Sequence, residues 1–256
     1  MEILVCVKRV PQVGGKIVVT ADEQDVDTRM SGFTVSPHEE CAVEEAVRLV
    51  EQHGGSVTVL TLGPPEAVDQ LRDMLALGAN RAELLETDGR EWGPIATAEA
   101  IVAAAARRAR DSEGRPYDLL LFGNEAADTG DYQVGVRVAH ALGLPCVTGI
   151  KNLEVSDTGA RARREYRGVE EIYDIALPAV VSVKEGINLP RYPSLPGRLR
   201  AKRATIEQTA PEWHAEGLRK ERLRVPAGET KRAEILGTGA GAVPALVALL
   251  DDLGVL

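Results

Sequence analysis

Aromatic residues are scarce in this sequence: they make up 4% of its 256 residues, whereas hydrophobic residues of all kinds make up 44%. A substantial core is therefore expected, filled by valine, leucine, isoleucine and alanine. The chain lacks any run of about 20 apolar residues, the length that a membrane-spanning helix needs. Its start also lacks the longer apolar segment of a signal peptide. These absences predict a soluble, cytoplasmic protein without membrane insertion.

Residues that ligate metals or act as nucleophiles are few and scattered. The three cysteines, Cys6, Cys41 and Cys146, form no Cys-x-x-Cys or Cys/His spacing, which argues against a zinc site or a disulfide framework. The four histidines have no matching nucleophile context, and the Gly-x-Ser-x-Gly and His-Glu-x-x-His motifs are absent. We therefore predict no metal centre and no catalytic residues.

Basic residues are fewer than acidic ones, and the net charge is −9. That balance argues against general nucleic-acid binding. The basic residues nevertheless concentrate between residues 191 and 224. A local basic segment on an acidic protein indicates a specific charged partner, and a solvated surface run is the alternative.

Strand and helix signals alternate through the first 145 residues. Buried-strand patterns lie at residues 2–10, 56–62, 81–87 and 117–123, and helical periodicity or Ala-rich composition lies between and after them. This order predicts βαβ crossovers in a mostly parallel, doubly wound, Rossmann-like α/β sheet. After Pro145, alternating β-branched runs predict antiparallel strands that finish the sheet.

Three parts of the chain follow from this pattern: an α/β domain at residues 1–187, a loop at 188–203 and a C-terminal arm and helix at 204–256. The loop carries three prolines and a glycine, which argues against a regular helix. The arm has few apolar residues, so we expect it to lie on another surface.

Ligands of open parallel sheets bind outside the carboxyl ends of the strands. Cys6 lies at such an end, residues 36–39 open the first helix, and residues 123–134 follow the fourth strand. The amides of the helix that begins after this last loop can hold a phosphate, and Gln133 can hydrogen-bond a base or sugar. The sequence has neither a dinucleotide fingerprint nor a Walker motif, and an ordinary strand-to-helix loop is the alternative.

These stretches together closely resemble the beta subunit of electron transfer flavoprotein. Matching segments run in the family's order to about residue 205; they are ILVCVKRV, SPHEECAVEEAVRL, LTLGPPEAVDQLRDMLALGANRAE, YDLLLFGNEAADTGDYQVG, LPAVVSVKEGINLPRYPSLP and RAKR. The most specific of them is the PAVV strand followed by the NxPRYxxLP loop.

The resemblance implies a heterodimer with an alpha subunit that holds most of the FAD, while this chain holds a structural AMP. Such a dimer carries electrons from acyl-CoA dehydrogenases of fatty acid oxidation, and from other flavin dehydrogenases, toward a membrane quinone oxidoreductase. By position, the implied AMP contacts are Cys6, Ser36, Pro37, His38, Glu39, Leu62, Gly123, Asn124, Glu125, Ala126, Ala127, Asp128, Thr129, Gly130, Asp131, Tyr132, Gln133 and Val134.

The loop at 188–203 resembles the family's recognition loop, whose leucine enters an apolar pocket on the dehydrogenase. That leucine is Leu195 here, and burying it contributes about 1.5–3 kcal/mol. The implied partner-binding residues are Arg191, Tyr192, Leu195, Pro196 and Arg198. Val13 and Glu165 correspond to positions near the flavin, Glu165 matching a carboxylate that meets an arginine there.

The chain departs from the family at a few positions. Ser36-Pro37-His38 replaces the common Asn-Pro-Phe, and Val13 replaces an aromatic residue. Bifurcating relatives hold a second FAD in place of AMP and carry an Asp-Gly-Asp-Thr run, whereas this chain has DTGDYQVG with the bulky Tyr132. We therefore expect AMP, with the bifurcating type and a universal-stress-type ATP-binding module as alternatives.

Overall fold

The computed structural model describes residues 1–12, 17–110, 115–156, 158–217, 220–226 and 233–255. The strands in these ranges are β1 (Glu2–Cys6), β2 (Val10–Pro11), β3 (Phe33–Thr34), β4 (Ser56–Gly63), β5 (Arg81–Glu86), β6 (Leu119–Gly123), β7 (Cys146–Ile150), β8 (Asn152–Ser156), β9 (Gly159–Tyr166), β10 (Val169–Ile175), β11 (Ala179–Val183) and β12 (Glu207–Thr209). The α-helices are α1 (Pro37–His53), α2 (Val68–Leu77), α3 (Pro94–Arg110), α4 (Val134–Leu142), α5 (Leu195–Arg203) and α6 (Val243–Asp252).

Seven strands form the central sheet in the order β12-β5-β4-β1-β6-β11-β7. Every pairing in it is parallel. The chain runs outward from β1 through β4 to β5 and then returns to β6 on the other side of β1. This reversal places a crevice beyond the carboxyl ends of β1 and β6, where ligands of such sheets bind.

Alternate residues of the strands enter two separate cores. Ile3 and Val5 of β1 pack with α1 and α2 on one face, whereas Leu4 and Cys6 pack with α3 and α4 on the other. When helices cover both faces of a sheet, successive residues of its strands are all apolar, which explains the sequence of β1. The predicted α/β class with a doubly wound parallel sheet is confirmed.

The strands after Pro145 differ in part from the prediction. β8, β9 and β10 are antiparallel as expected, but they form a three-stranded sheet of their own. β7 and β11 instead join the central sheet in parallel. Strand composition does not distinguish the two outcomes, because pairing depends on which neighbours the preceding chain has already placed.

Two helix starts show how local sequence sets the elements. The Ser36 hydroxyl caps α1 by accepting from the Glu39 amide, and the Ser36 amide donates to the Glu39 carboxylate, which completes a capping box. α4 begins at Val134, directly after the loop that follows β6. Its Ala139 is buried, whereas Ala141 is exposed.

The segment 188–203 is not the irregular loop that its prolines suggest, because its second half is α5. Ser194 caps this helix by accepting from the Gly197 amide at 3.1 Å. Pro196 stands in the first turn, where a helix needs no amide donor. The number of prolines therefore does not exclude a helix unless their positions relative to the N-cap residue are considered.

Much of the C-terminal arm lies on its own chain. β12 pairs with β5 at the edge of the central sheet, and the Trp213 indole donates to the Glu91 carbonyl at 2.9 Å. Glu216 accepts from the Ala96 amide at 2.7 Å and so caps α3. α6 differs, since none of its residues is buried. The stretch around residues 207–217 therefore packs on its own chain, whereas α6 is exposed among the described residues.

Candidate functional site

A cleft opens at the point where the strand order reverses. Cys6 of β1 and Gly123 of β6 lie at its base, and the first turn of α4 and the loop before α3 form its walls. Ser182 of β11 and Leu62 of β4 complete the base. The position agrees with the rule for ligands of open parallel sheets.

A buried carboxyl group at the start of α1 stiffens the base of the cleft. Glu39 is 7% exposed and accepts from the Lys8 amide at 2.9 Å, the Ser36 amide at 3.1 Å and the Ser36 hydroxyl at 3.0 Å. Burial raises the pKa of Glu39 to about 7, although these hydrogen bonds oppose the rise. Burial likewise raises the pKa of the Cys6 thiol, which is neutral at physiological pH.

Two glycines allow the backbone to approach its neighbours at this site. A Cβ at Gly123 would lie 2.7 Å from Cγ of Glu39, which three hydrogen bonds hold in place. A Cβ at Gly135 would lie 3.2 Å from Cγ of Phe122. Both glycines line the cleft. Because there is little room for a side chain at either position, the backbone itself borders the cleft.

The first turn of α4 is suited to a negatively charged group. Val134 and Gly135 line the cleft, and in the described part of the chain no side chain caps this helix. Uncapped amides at a helix start attract anions. The Lys8 ammonium group stands at the same opening, 2.7 Å from Asp128 Oδ1. The start of α3 is already occupied, because Glu216 caps it.

Two of the side chains that line the cleft contact each other. The Tyr132 hydroxyl donates to the Glu125 carboxylate, and Glu125 Oε1 also lies 3.7 Å from His38 Nε2. The His38 ring is fixed in turn by the Glu185 amide, which donates to Nδ1 at 2.7 Å. His38 is thus fixed between the Glu185 amide and Glu125.

The structure brings most of the predicted nucleotide residues to this cleft. Those that line it are Cys6, Glu39, Leu62, Gly123, Asn124, Glu125, Ala126, Thr129, Asp131, Tyr132 and Val134. The other seven do not line it; they are Ser36, Pro37, His38, Ala127, Asp128, Gly130 and Gln133. The Gln133 side chain points along its own loop and helix, bonding Asp131 at 3.1 Å and Arg137 at 2.8 Å.

Sequence reasoning missed the wall that precedes α3. Trp92, Gly93, Pro94 and Thr97 line the cleft. The Trp92 indole nitrogen is buried and has no acceptor among the described residues. This wall follows β5 at its carboxyl end, so the rule that selected the other loops also applied to it.

The predicted partner-binding residues lie around the start of α5, away from the cleft. Tyr192 is 88% exposed and Leu195 is 72% exposed, and Leu189 beside them is 90% exposed. Arg198 lies over the Tyr192 ring, with 5.8 Å between its Cζ and the ring centroid. Three large apolar side chains thus stand in solvent within seven residues.

The two positions predicted near the flavin have different outcomes. Val13 lies outside the described residues. Glu165 is exposed on β9 directly opposite Glu170 of β10. Like charges opposite each other destabilise a strand pair, and Arg163 lies 3.8 Å from Glu170.

No helix in the described ranges is long and apolar enough to cross a membrane. Among the same residues, no group of three or more histidine, cysteine and acidic side chains is placed to hold a metal ion.

Comparisons with known proteins agree with this geometry. The sequence profile described as "Electron transfer flavoprotein domain" matches residues 26–212. The electron transfer flavoprotein subunit beta of Bacillus subtilis is 37% identical over 210 residues, covering 81% of this chain and 78% of the relative. The protein of the same description from Syntrophomonas wolfei is 34% identical, covering 82% of this chain and 80% of the relative. Protein FixA of Azorhizobium caulinodans is 35% identical, covering 80% and 74%.

The match extends over the cleft-lining loop 123–134 and over α5. The family profile covers well over half of the chain, and the identities exceed 30% across most of this chain and of each relative. The chain therefore belongs to the electron transfer flavoprotein family, among its beta subunits.

Proposed function

We propose that this chain is the beta subunit of a heterodimeric electron transfer flavoprotein and binds AMP in the cleft between β1 and β6. The alpha subunit holds the FAD, which accepts and donates the electrons. The dimer takes them from acyl-CoA and other flavin dehydrogenases and delivers them to a membrane quinone oxidoreductase. The chain itself carries no substrate chemistry in this proposal. The observation that supports AMP most directly is the uncapped first turn of α4 within that cleft.

The residues of the cleft fit a mononucleotide. Lys8 and the amides of Val134 and Gly135 are suited to a phosphate. The buried Trp92 nitrogen supplies a donor with no protein acceptor among the described residues. The bulky Tyr132, which lines the cleft, favours AMP over a second FAD. The universal-stress alternative does not suit a chain of this family.

A surface for the alpha subunit is available at the C-terminus. α6 presents exposed apolar side chains, which include Val243, Leu246, Val247 and Leu249. Such a helix gains stability when its apolar face is covered. We assign that cover to the alpha subunit.

We expect the isolated chain to retain AMP and to lack stoichiometric FAD. Nucleotide released by heat is identified by chromatography from the chain purified alone and together with the alpha subunit, which should add FAD. After the retained nucleotide has been removed, added AMP should change the emission of Trp92. Trp92→Phe should remove that change, and Trp213→Phe, at the second of the two tryptophans, should leave it. Stoichiometric FAD without AMP in the isolated chain would support the bifurcating type instead.

We expect Glu165→Ala to change the electron-transfer rate while leaving AMP content unaltered. An arginine from the alpha subunit would pair with Glu165 and relieve its repulsion with Glu170. Replacing Glu165 removes that pairing and so alters how the flavin is held. Dehydrogenase-linked dye reduction by the heterodimer measures the rate. Glu170→Ala is the matched control, because that carboxylate already has Arg163 beside it. An unaltered rate with several dehydrogenases would make Glu165 an ordinary exposed strand residue.

A further inference from the structure

The stretch that leads to the exposed apolar residues is attached along its length to α1. The Glu185 amide donates to His38 Nδ1 at 2.7 Å. Three residues later, the Asn188 amide group donates to the Cys41 carbonyl at 3.0 Å and to Glu45 at 2.9 Å. The chain therefore follows this helix for more than one turn before it reaches Tyr192.

The last attachment in this stretch is a double ion pair. The Arg191 Nε and Nη2 atoms bond the Glu44 carboxylate at 2.9 and 3.1 Å, and Nη1 and Nη2 bond Glu51 at 2.6 and 2.9 Å. The Arg191 amide also donates to Glu44, at 3.1 Å. Four of the five guanidinium N–H groups are thus engaged within the chain. Its hydrogen bonds to Glu51 and Glu44 raise the pKa of Arg191.

Arg191 is therefore placed differently from the partner contact that its sequence position implies. Its guanidinium group faces α1, and the side chain of Glu44 beneath it is 5% exposed. A docked protein cannot reach Glu44. Arg198, seven residues later, extends over Tyr192 on the outer side.

The other side of the apolar residues is equally fixed. A Cβ at Gly197 would lie 2.7 Å from the Ala76 carbonyl oxygen, so α5 lies directly against the end of α2. Arg200 donates to the Leu75 carbonyl at 3.1 Å, and Arg72 donates to the Ala201 carbonyl at 2.6 Å. Each helix thus supplies an arginine that satisfies the last carbonyls of the other.

We propose that Glu44 and Arg191 are positioning residues for docking, which hold Tyr192 and Leu195 in the orientation that the dehydrogenase binds. This inference rests on the proposed function, since it assumes that Leu195 is the anchor. A segment ordered before binding loses less conformational entropy when it docks. The affinity of the complex then depends on a buried side chain of α1 that never touches the partner.

The decisive variant is Arg191→Lys in the flavin-loaded heterodimer. Lysine keeps the positive charge but cannot bond two carboxylates with a planar fork. With an acyl-CoA dehydrogenase as the varied reactant, we expect the apparent KM to rise about two- to tenfold, the cost of ordering one or two side chains, and kcat to stay nearly constant. Glu44→Gln should have the same effect. Both variants should speed deuterium exchange of the peptide that spans residues 189–195.

Matched variants separate positioning from charge and from general damage. Arg198→Gln, which removes a charge beside Tyr192, should reduce the salt dependence of association, as expected of a charge at the rim. Arg161→Gln breaks another two-point arginine–carboxylate pair, with Asp174 in the small sheet, and should change neither KM nor exchange at 189–195.

The outcomes are distinct. An unaltered KM in Arg191→Lys would show that charge alone matters and would overturn the proposal, as would faster exchange at 189–195 without any change in KM. If Glu44→Gln fails to fold, Arg191→Lys decides alone. If Leu195→Ala leaves KM unaltered, the docking function itself fails, and this inference with it. A raised KM in Leu195→Ala together with wild-type values in both positioning variants would overturn only the inference.

Discussion

Leu195→Ala should raise the apparent KM for an acyl-CoA dehydrogenase about tenfold or more and leave the fold intact. Docking would bury this side chain, and its loss removes about 1–3 kcal/mol of binding free energy. The side chain is 72% exposed in the chain, so its truncation leaves no internal cavity. Alanine also suits the first turn of α5. Dye reduction coupled to the dehydrogenase measures KM, and thermal unfolding of the same sample measures stability.

Val225→Ala is a suitable comparison, because Val225 is a similarly exposed aliphatic side chain far along the C-terminal arm. Its loss should change neither KM nor the melting temperature. FAD and AMP contents should stay constant in both variants. A lowered melting temperature or looser subunit association in Leu195→Ala, with a normal KM, would instead place Leu195 inside the heterodimer.

Gly123→Ala should destabilise the chain and empty the cleft of AMP. The new methyl group would lie 2.7 Å from Glu39 Cγ, closer than packed carbon atoms approach. Glu39 cannot withdraw without losing its bonds to Lys8 and Ser36, so the backbone of the loop has to shift. We expect the free energy of unfolding to fall by about 1–3 kcal/mol, as for other overpacked sites.

Retained AMP should fall further than stability alone requires, because the displaced backbone forms the base of the cleft. Chemical unfolding and nucleotide analysis of the same preparation test both effects. Gly217→Ala is the control, since a Cβ there meets nothing within 4 Å. Wild-type stability and AMP content in Gly123→Ala would mean that the close approach of β6 to α1 is not required.

The sequence allowed the sheet and half of the cleft to be predicted because these depend on short-range signals. Alternating strand and helix patterns specify a parallel sheet, and its strand ends then indicate Cys6 and the loop 123–134. The capping box at Ser36 was recognisable for the same reason. The wall at Trp92 was open to the same reasoning and was overlooked.

Other features depend on contacts between distant residues. Glu44 and Arg191 are 147 positions apart, and an alternation of charges on α1 gives no sign that one carboxylate is buried beneath an arginine. The parallel placement of β7 and β11 follows from the positions of earlier strands. α5 was not predicted, because the number of prolines argued against a helix, whereas their effect depends on their distance from Ser194.

The three residues of β12 have a consequence for solubility. Without them β5 would be the last strand of the sheet, and its outer amides and carbonyls would be free to pair with strands of other molecules. β12 pairs along Glu83, Leu84 and Leu85 and places charged Glu207 at the new border. The arm thus protects the chain from edge-to-edge aggregation, a benefit that exists before any partner is bound. Truncation ahead of residue 207 would remove this protection even where the core still folds.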